Sequence, residues 1–204
     1  LKKKDITALR KAANQYISNT FYPELKQRMA EKGFTNVNWE IINTQESDQD
    51  PKIMLMYYPN VIESVGYIQP KVQIEIGCRS LREPLKIAEF NTLVDEYYPN
   101  ASFTMPVIKV PTVVPERTFL EKIFLLHEEF SKPTQAIRVE RLSRHLYDVY
   151  QLSKTEIKQN ALNDTELYET IVKHRYNFTR ISKVNYNLHQ PQTINPIPPT
   201  EVIK

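Results

Sequence analysis

Pro115-Glu116-Arg117-Thr118-Phe119-Leu120-Glu121-Lys122 and Arg141-Leu142-Ser143-Arg144-His145-Leu146-Tyr147-Asp148 are the stretches on which the fold is read. Lys122 stands four residues after Thr118, and Asp148 four after Arg144. At that spacing each pair shares one face of a helix. Two adjacent helices that present a Lys, a Thr, an Arg and an Asp can line one pocket for phosphates and a metal ion. Phe119, Ile123, Leu126 and Phe130 form an apolar stripe that predicts a helix over 115–130. Further helices are predicted over about 136–152 and 164–178.

Working outward, the first half of the chain reads as helices followed by strands. Ile6, Leu9, Ala13 and Ile17 predict a helix over 5–20 with Asp5 as its N-cap. Pro23 opens a second helix, which Gly33 ends. Strands are predicted over 37–44, 52–58 and 71–77, the first two separated by the polar turn 45–51. In the third strand, alternation puts Val72, Ile74 and Ile76 on a core face and Gln73 and Glu75 on the other. Residues 79–114 are mixed, with a short helix or turn near Leu93 and a short strand from Val107 to Val110. The expected class is α+β: an antiparallel or mixed sheet flanked by helices, then a helical subdomain. The expected divisions are 1–114, 115–189 and an extended Pro-rich tail over 190–204.

Composition narrows the function. The chain has 204 residues, 41% of them hydrophobic, enough for an ordinary core. A formal charge of +3 permits contact with nucleic acid without arguing for it. Cys78 is the single cysteine, which excludes a disulfide framework and a Cys-based zinc site and fits a reducing cytoplasm. No apolar run approaches membrane-spanning length. The only glycines are Gly33, Gly66 and Gly77, and neither G-x-G-x-x-G nor G-x-x-x-x-G-K-[ST] occurs.

Several groups have chemical potential, each with an ordinary alternative. Glu75 is a strand carboxylate of the kind that holds magnesium rigidly, or else a solvent-facing residue of a half-exposed sheet. Lys122 can face a triphosphate, or can be a solvated charge near Glu121 or Glu128. Arg144 and Asp148 can serve a site, or form an i,i+4 ion pair. Arg79 and Arg82 can bind an anion or pair with Glu83 and Asp95. His174, Arg175 and Arg180 read as a solvated basic face, or as a phosphate contact. His127 and His145 are isolated, which argues against zinc.

Taken in order, Lys71-x-x-x-Glu75-Ile76-Gly77, Arg79 to Pro84, Pro115 to Lys122 and Arg141 to Asp148 resemble the AbiEii/AbiGii toxin family of nucleotidyltransferases over residues 5–200. The resemblance implies a polymerase-β-like nucleotidyltransferase core over 1–114 joined to a helical C-terminal part. It also implies Mg-dependent transfer of a nucleotide from a nucleoside triphosphate to an acceptor such as RNA, an antitoxin partner, and a cytoplasmic place. Glu75 matches the family's metal-site carboxylate and Lys122 its triphosphate lysine. Arg144 and Asp148 match the basic and acidic positions of the last motif, and Thr118 is a fifth match. Glu75 and Asp148 are thus the expected catalytic residues; Lys122, Thr118 and Arg144 are the expected nucleotide-binding ones.

The chain departs from the family pattern at three points. It has no glycine turn followed by Asp-x-Asp; Asp48-Gln49-Asp50 lies in a polar loop. That motif is expected upstream of Leu1, and the chain alone is expected to be inactive. Glu75 replaces the commoner Asp, and His145 stands where an acidic residue often follows the basic one. The alternative function is a non-catalytic module that binds an antitoxin protein or RNA. A metabolic phosphotransferase is disfavoured by the missing nucleotide loop.

Overall fold

Helix formation begins at Lys3 and continues to Glu31 across Pro23. In the computed structural model, which describes residues 3–42, 50–63, 66, 68–78, 84–179, 181 and 184–203, α1 (Lys3–Tyr16) passes through a π turn (Ile17–Phe21) into α2 (Tyr22–Glu31). The predicted break between two helices is therefore corrected. Proline lacks an N–H, and the wider π turn ahead of it lets the chain continue without that donor. Gly33 ends α2 as expected, at φ +92°. Phe34 N–H donates to Met29 O at 3.0 Å and Gly33 N–H to Ala30 O at 2.9 Å, a glycine-closed helix end.

The chain divides into two compact units, Leu1–Ser80 and Leu81–Lys204. In the first, β1 (Asn38–Ile41), β2 (Lys52–Tyr57) and β3 (Lys71–Ile76) form an antiparallel sheet in that order. Central β2 carries the buried Met54, Leu55 and Met56, and Ile17 adds a fourth buried apolar side chain. Tyr22 meets Trp39 edge to face at 6.2 Å, fastening α2 to β1. The register sets Ile74 opposite Met54 and Glu75 opposite Ile53. The expected alternation of β3 holds in direction, but Val72 is exposed and Ile74 and Ile76 are only half-buried.

In the second unit β4 (Leu85–Phe90) pairs antiparallel with β5 (Ile108–Val113), and α3 (Leu93–Tyr97) lies between them in sequence. A capping box of Thr92 and Asp95 starts α3. In place of the single antiparallel or mixed sheet expected, the described strands form two separate sheets, both antiparallel. Thus the α+β class stands and the sheet arrangement is corrected. β4 was not separable in sequence, because its burial is one-sided at best and leaves no clean alternation.

The helical part is built on α4 (Pro115–Phe130), against which α5 (Leu142–Ser153), α6 (Glu156–Asn163) and α7 (Thr165–His174) pack. Phe119, Leu120 and Phe124 of α4 form one core with Ala161, Leu167 and Ile171. Leu126, Ile137 and Leu142 form a second. Truncating the fully buried Phe124 to Ala costs about 3–5 kcal/mol by loss of transfer energy and a residual cavity. The helix predicted from 136 starts only at Leu142, and α6 was missed. Asp164 alone separates α6 from α7; its carboxylate accepts from Leu167 N–H at 2.9 Å and starts the second of them. The Pro-rich tail folds back: Ile194 packs on the first core and Val202 on the second.

Candidate functional site

α4 and α5 bring Lys122 and Asp148 into contact, with Thr118 one turn before the one and Arg144 one turn before the other. Pro115 takes the first turn of α4, where its missing N–H costs nothing, and Glu116 beside it suits the positive end of the helix. The Thr118 hydroxyl donates weakly to Val114 O at 3.5 Å. One turn on, Lys122 Nζ meets Asp148 Oδ2 of α5 at 2.8 Å, with the two side chains 23% and 42% exposed. Asp148 thus pairs across the helix interface, and its expected i,i+4 partner Arg144 acts on it only at longer range. Leu142, buried in the second core, anchors the start of α5 and so sets this geometry. Arg141 just before it has φ +65°, a left-handed conformation that only glycine adopts freely.

The site is electropositive. The Asp148 carboxyl is held below its ordinary value by the hydrogen bond from Lys122, against a small burial cost, with help from the Lys122, His145 and Arg144 charges. His145 lies one turn before Asp148. Its imidazole is pushed down by burial and by the Lys122 and Arg144 charges, with Arg138 adding to them and Asp148 opposing. Its Nδ1 is buried with no hydrogen-bond partner among the described residues. Lys122, Arg144 and His145 around one carboxylate can receive an anionic ligand, with Arg144 exposed.

Glu75 belongs to the other unit. It is exposed on β3 and accepts a hydrogen bond from the Gln73 amide at 2.5 Å. Among the described residues no three His, Cys, Asp or Glu side chains gather into a group that holds a metal. Arg79, Arg82 and Glu83, the Asp48-Gln49 part of the acidic pattern, and Arg180 lie outside the described residues.

Sequence reasoning missed a buried polar network on the far turns of α4. Glu128 is fully buried and its carboxylate accepts from Arg175 Nε at 2.7 Å and Nη2 at 2.5 Å. Arg175 Nη1 also reaches Glu121 Oε2 at 2.7 Å, and His189 Nε2 lies 2.9 Å from Glu128 Oε1. Burial alone would raise the Glu128 carboxyl, but Arg175 and His189 together hold it below its ordinary value. His127 adds an edge-on contact to His189 at 5.2 Å, and its Nδ1 accepts from Asn195 N–H of the tail at 3.0 Å. Arg175 is therefore not part of a solvated basic face, and Glu121 and Glu128 are partners of Arg175 while Lys122 pairs elsewhere. The signal was present: Leu120, Phe124 and Glu128 share the inward stripe of α4, and a carboxylate in such a stripe requires a buried cation.

No helix among the described residues is long and apolar enough to cross a membrane. No curated protein and no solved structure matches the chain. Residues 2–201 match the family model described as nucleotidyl transferase AbiEii toxin, type IV toxin–antitoxin system. The pairing of Lys122 with Asp148 thus sits inside a match that spans nearly all of the sequence, and the chain belongs to the AbiEii nucleotidyl transferase toxin family.

Proposed function

We propose that the protein transfers a nucleotide from a nucleoside triphosphate to a hydroxyl acceptor, RNA being the favoured class, as the toxin of a toxin–antitoxin pair. The observation that carries this is the 2.8 Å contact of Lys122 with Asp148, beside Arg144 and His145, in a chain of this family. The triphosphate takes the place of Asp148 on Lys122, and Arg144 supplies a second cation to its oxygens. The Thr118 hydroxyl, weakly held by Val114 O, turns to donate to a phosphate oxygen. Asp148, released from Lys122, orients the acceptor hydroxyl for in-line attack on the α-phosphorus; the new O–P bond forms as the bond to pyrophosphate breaks, pyrophosphate leaves, and the hydroxyl proton passes to solvent. The helical part that begins at Pro115 holds this half of the site, and residues before it are assigned to the polymerase-β-like core. A nucleoside triphosphate substrate supports a cytoplasmic place for the protein.

Magnesium is proposed to enter as the counter-ion of the triphosphate. The described residues do not assemble a ligand set for it, and the lone exposed carboxylate Glu75 does not make one, so no step is assigned to the metal.

The test is isothermal titration of GTP and ATP with magnesium into the protein, followed by transfer of label from an α-labelled triphosphate to RNA. Binding that Lys122→Ala abolishes supports the transferase. Absence of binding sinks it and leaves a module that binds an antitoxin or RNA without catalysis.

A further inference from the structure

A cavity of about 420 Å³ opens in the second unit between α7 and the segment that runs into the tail. None of its lining residues belongs to α4 or α5, so it is separate from the Lys122 site. Its size falls in the range of small-molecule sites, about 300–1,000 Å³.

Aromatic rings dominate its wall. Tyr186 is held by three contacts: its ring stacks on His189 at 4.6 Å and 8°, Tyr176 meets it edge-on at 6.0 Å, and its hydroxyl accepts from Ile181 N–H at 2.9 Å. Tyr168 lines another wall and leans on Phe124 at 5.1 Å. Walls held this way lose little freedom when a flat ligand enters.

Two lining side chains also carry unanswered polar atoms. The Tyr168 hydroxyl and His189 Nδ1 are buried with no hydrogen-bond partner among the described residues, and the His189 side chain is fully buried. The ionised Glu128 carboxylate only accepts, so in a neutral ring His189 Nε2 carries the proton and Nδ1 is left as an acceptor. Both atoms are closed to solvent, so a ligand in the cavity reaches them only where the wall gives way. At the rim, Glu169 and Lys173 stand one turn apart on α7, both exposed. An acceptor-only carboxylate suits the N–H edge of a base, and an ammonium suits its phosphate.

We propose that this cavity is a second nucleotide site, in which the tyrosine rings take a nucleobase and Lys173 its phosphate. The ligand is either a free nucleoside monophosphate or a terminal nucleotide of single-stranded RNA; the base-plus-phosphate chemistry is shared. The proposal does not rest on the transferase reading, because none of the residues assigned to that reaction lines the cavity.

The experiment is isothermal titration of AMP, GMP, orthophosphate and a short single-stranded oligoribonucleotide into the full chain and its variants. A nucleotide or the oligonucleotide is expected to bind, and orthophosphate alone is not. Tyr176→Ala should weaken binding by about tenfold, the effect of losing one stacking ring, while Tyr176→Phe retains it. Lys173→Ala should weaken binding and flatten its salt dependence. Lys122→Ala should leave it unchanged, whatever that variant does to triphosphate binding. A tighter oligonucleotide identifies RNA as the source, and equal affinities identify the free nucleotide. The proposal is overturned if neither nucleotide nor oligonucleotide binds, if binding ignores both Tyr176→Ala and Lys173→Ala in folded protein, or if Lys122→Ala alone removes it.

Discussion

Arg175 holds Glu128 through two parallel hydrogen bonds, across 47 residues of sequence and with both side chains out of water. The fork geometry matches guanidinium to carboxylate and leaves neither charge uncompensated. It also ties the end of α7 to the last turn of α4. Arg175→Met should cost about 3–5 kcal/mol in urea unfolding, because Glu128 stays buried without its cation. Arg175→Met combined with Glu128→Leu should recover much of that loss. If the double variant is as unstable as the sum of its parts, the pair is not the origin of the effect.

Acid should unfold the protein in two stages. The folded-state pKa of His127 is depressed, by burial first and then by the neighbouring His189. The unfolded chain therefore binds that proton more readily, and stability falls as pH drops below the ordinary histidine value of 6.5. Glu128 and Glu129 are also depressed, despite burial, by hydrogen bonds from Arg175 and His189 and from Lys132 and Arg138. Their contribution is complete above the ordinary value of 4.5 and is lost as pH falls through the lower folded value. Urea midpoints between pH 8 and 3 should show both declines, and His127→Asn should blunt the first. A midpoint that rises between pH 7 and 5 would contradict this assignment.

Lys122 and Asp148 should separate stability from function. Their ion pair is part-exposed, so Lys122→Ala is expected to change stability by only about 0–1 kcal/mol. Triphosphate binding, however, should be lost. A Lys122→Ala protein that melts normally and still binds nucleotide would remove Lys122 from the site.

The left-handed backbone at Arg141 gives a local test. A non-glycine residue there carries about 1–2 kcal/mol of strain. Arg141→Gly should be neutral or stabilising by up to about 1 kcal/mol, since glycine's greater freedom when unfolded offsets part of the relief. Arg141→Val should be destabilising, because a β-branched side chain tolerates that conformation worst. Thermal melts of the two variants should move in opposite directions, or the first should not move.

The tail should be a structural element. Ending the chain after Gln190 removes the Asn195 bond to His127 and the packing of Ile194 and Val202. Partial burial of those two side chains is worth roughly 2 kcal/mol. Truncation should therefore lower the melting temperature and raise hydrogen exchange in α4. Unchanged exchange there would show that the tail is dispensable.

The elements that were legible in sequence were those whose signal is local. The stripe Phe119-Ile123-Leu126-Phe130 marked α4, the alternation of β3 marked a strand, and Gly33 marked a helix end. Residue order along the chain was enough for the family, because motif spacing survives without coordinates. Partnership was not legible. Asp148 has Arg144 four residues away and Lys122 on another helix, and the second won because the packing of α5 on α4 turns Asp148 across the interface. Arg175 looked like surface charge until α7 folded onto α4 and set it against Glu128. His127 looked isolated because the Asn195 N–H that its ring accepts lies 68 residues further along the chain. Periodicity reports which face of a helix turns inward, but the choice of what meets that face is made by packing between segments distant in sequence, where burial makes every unpaired charge costly.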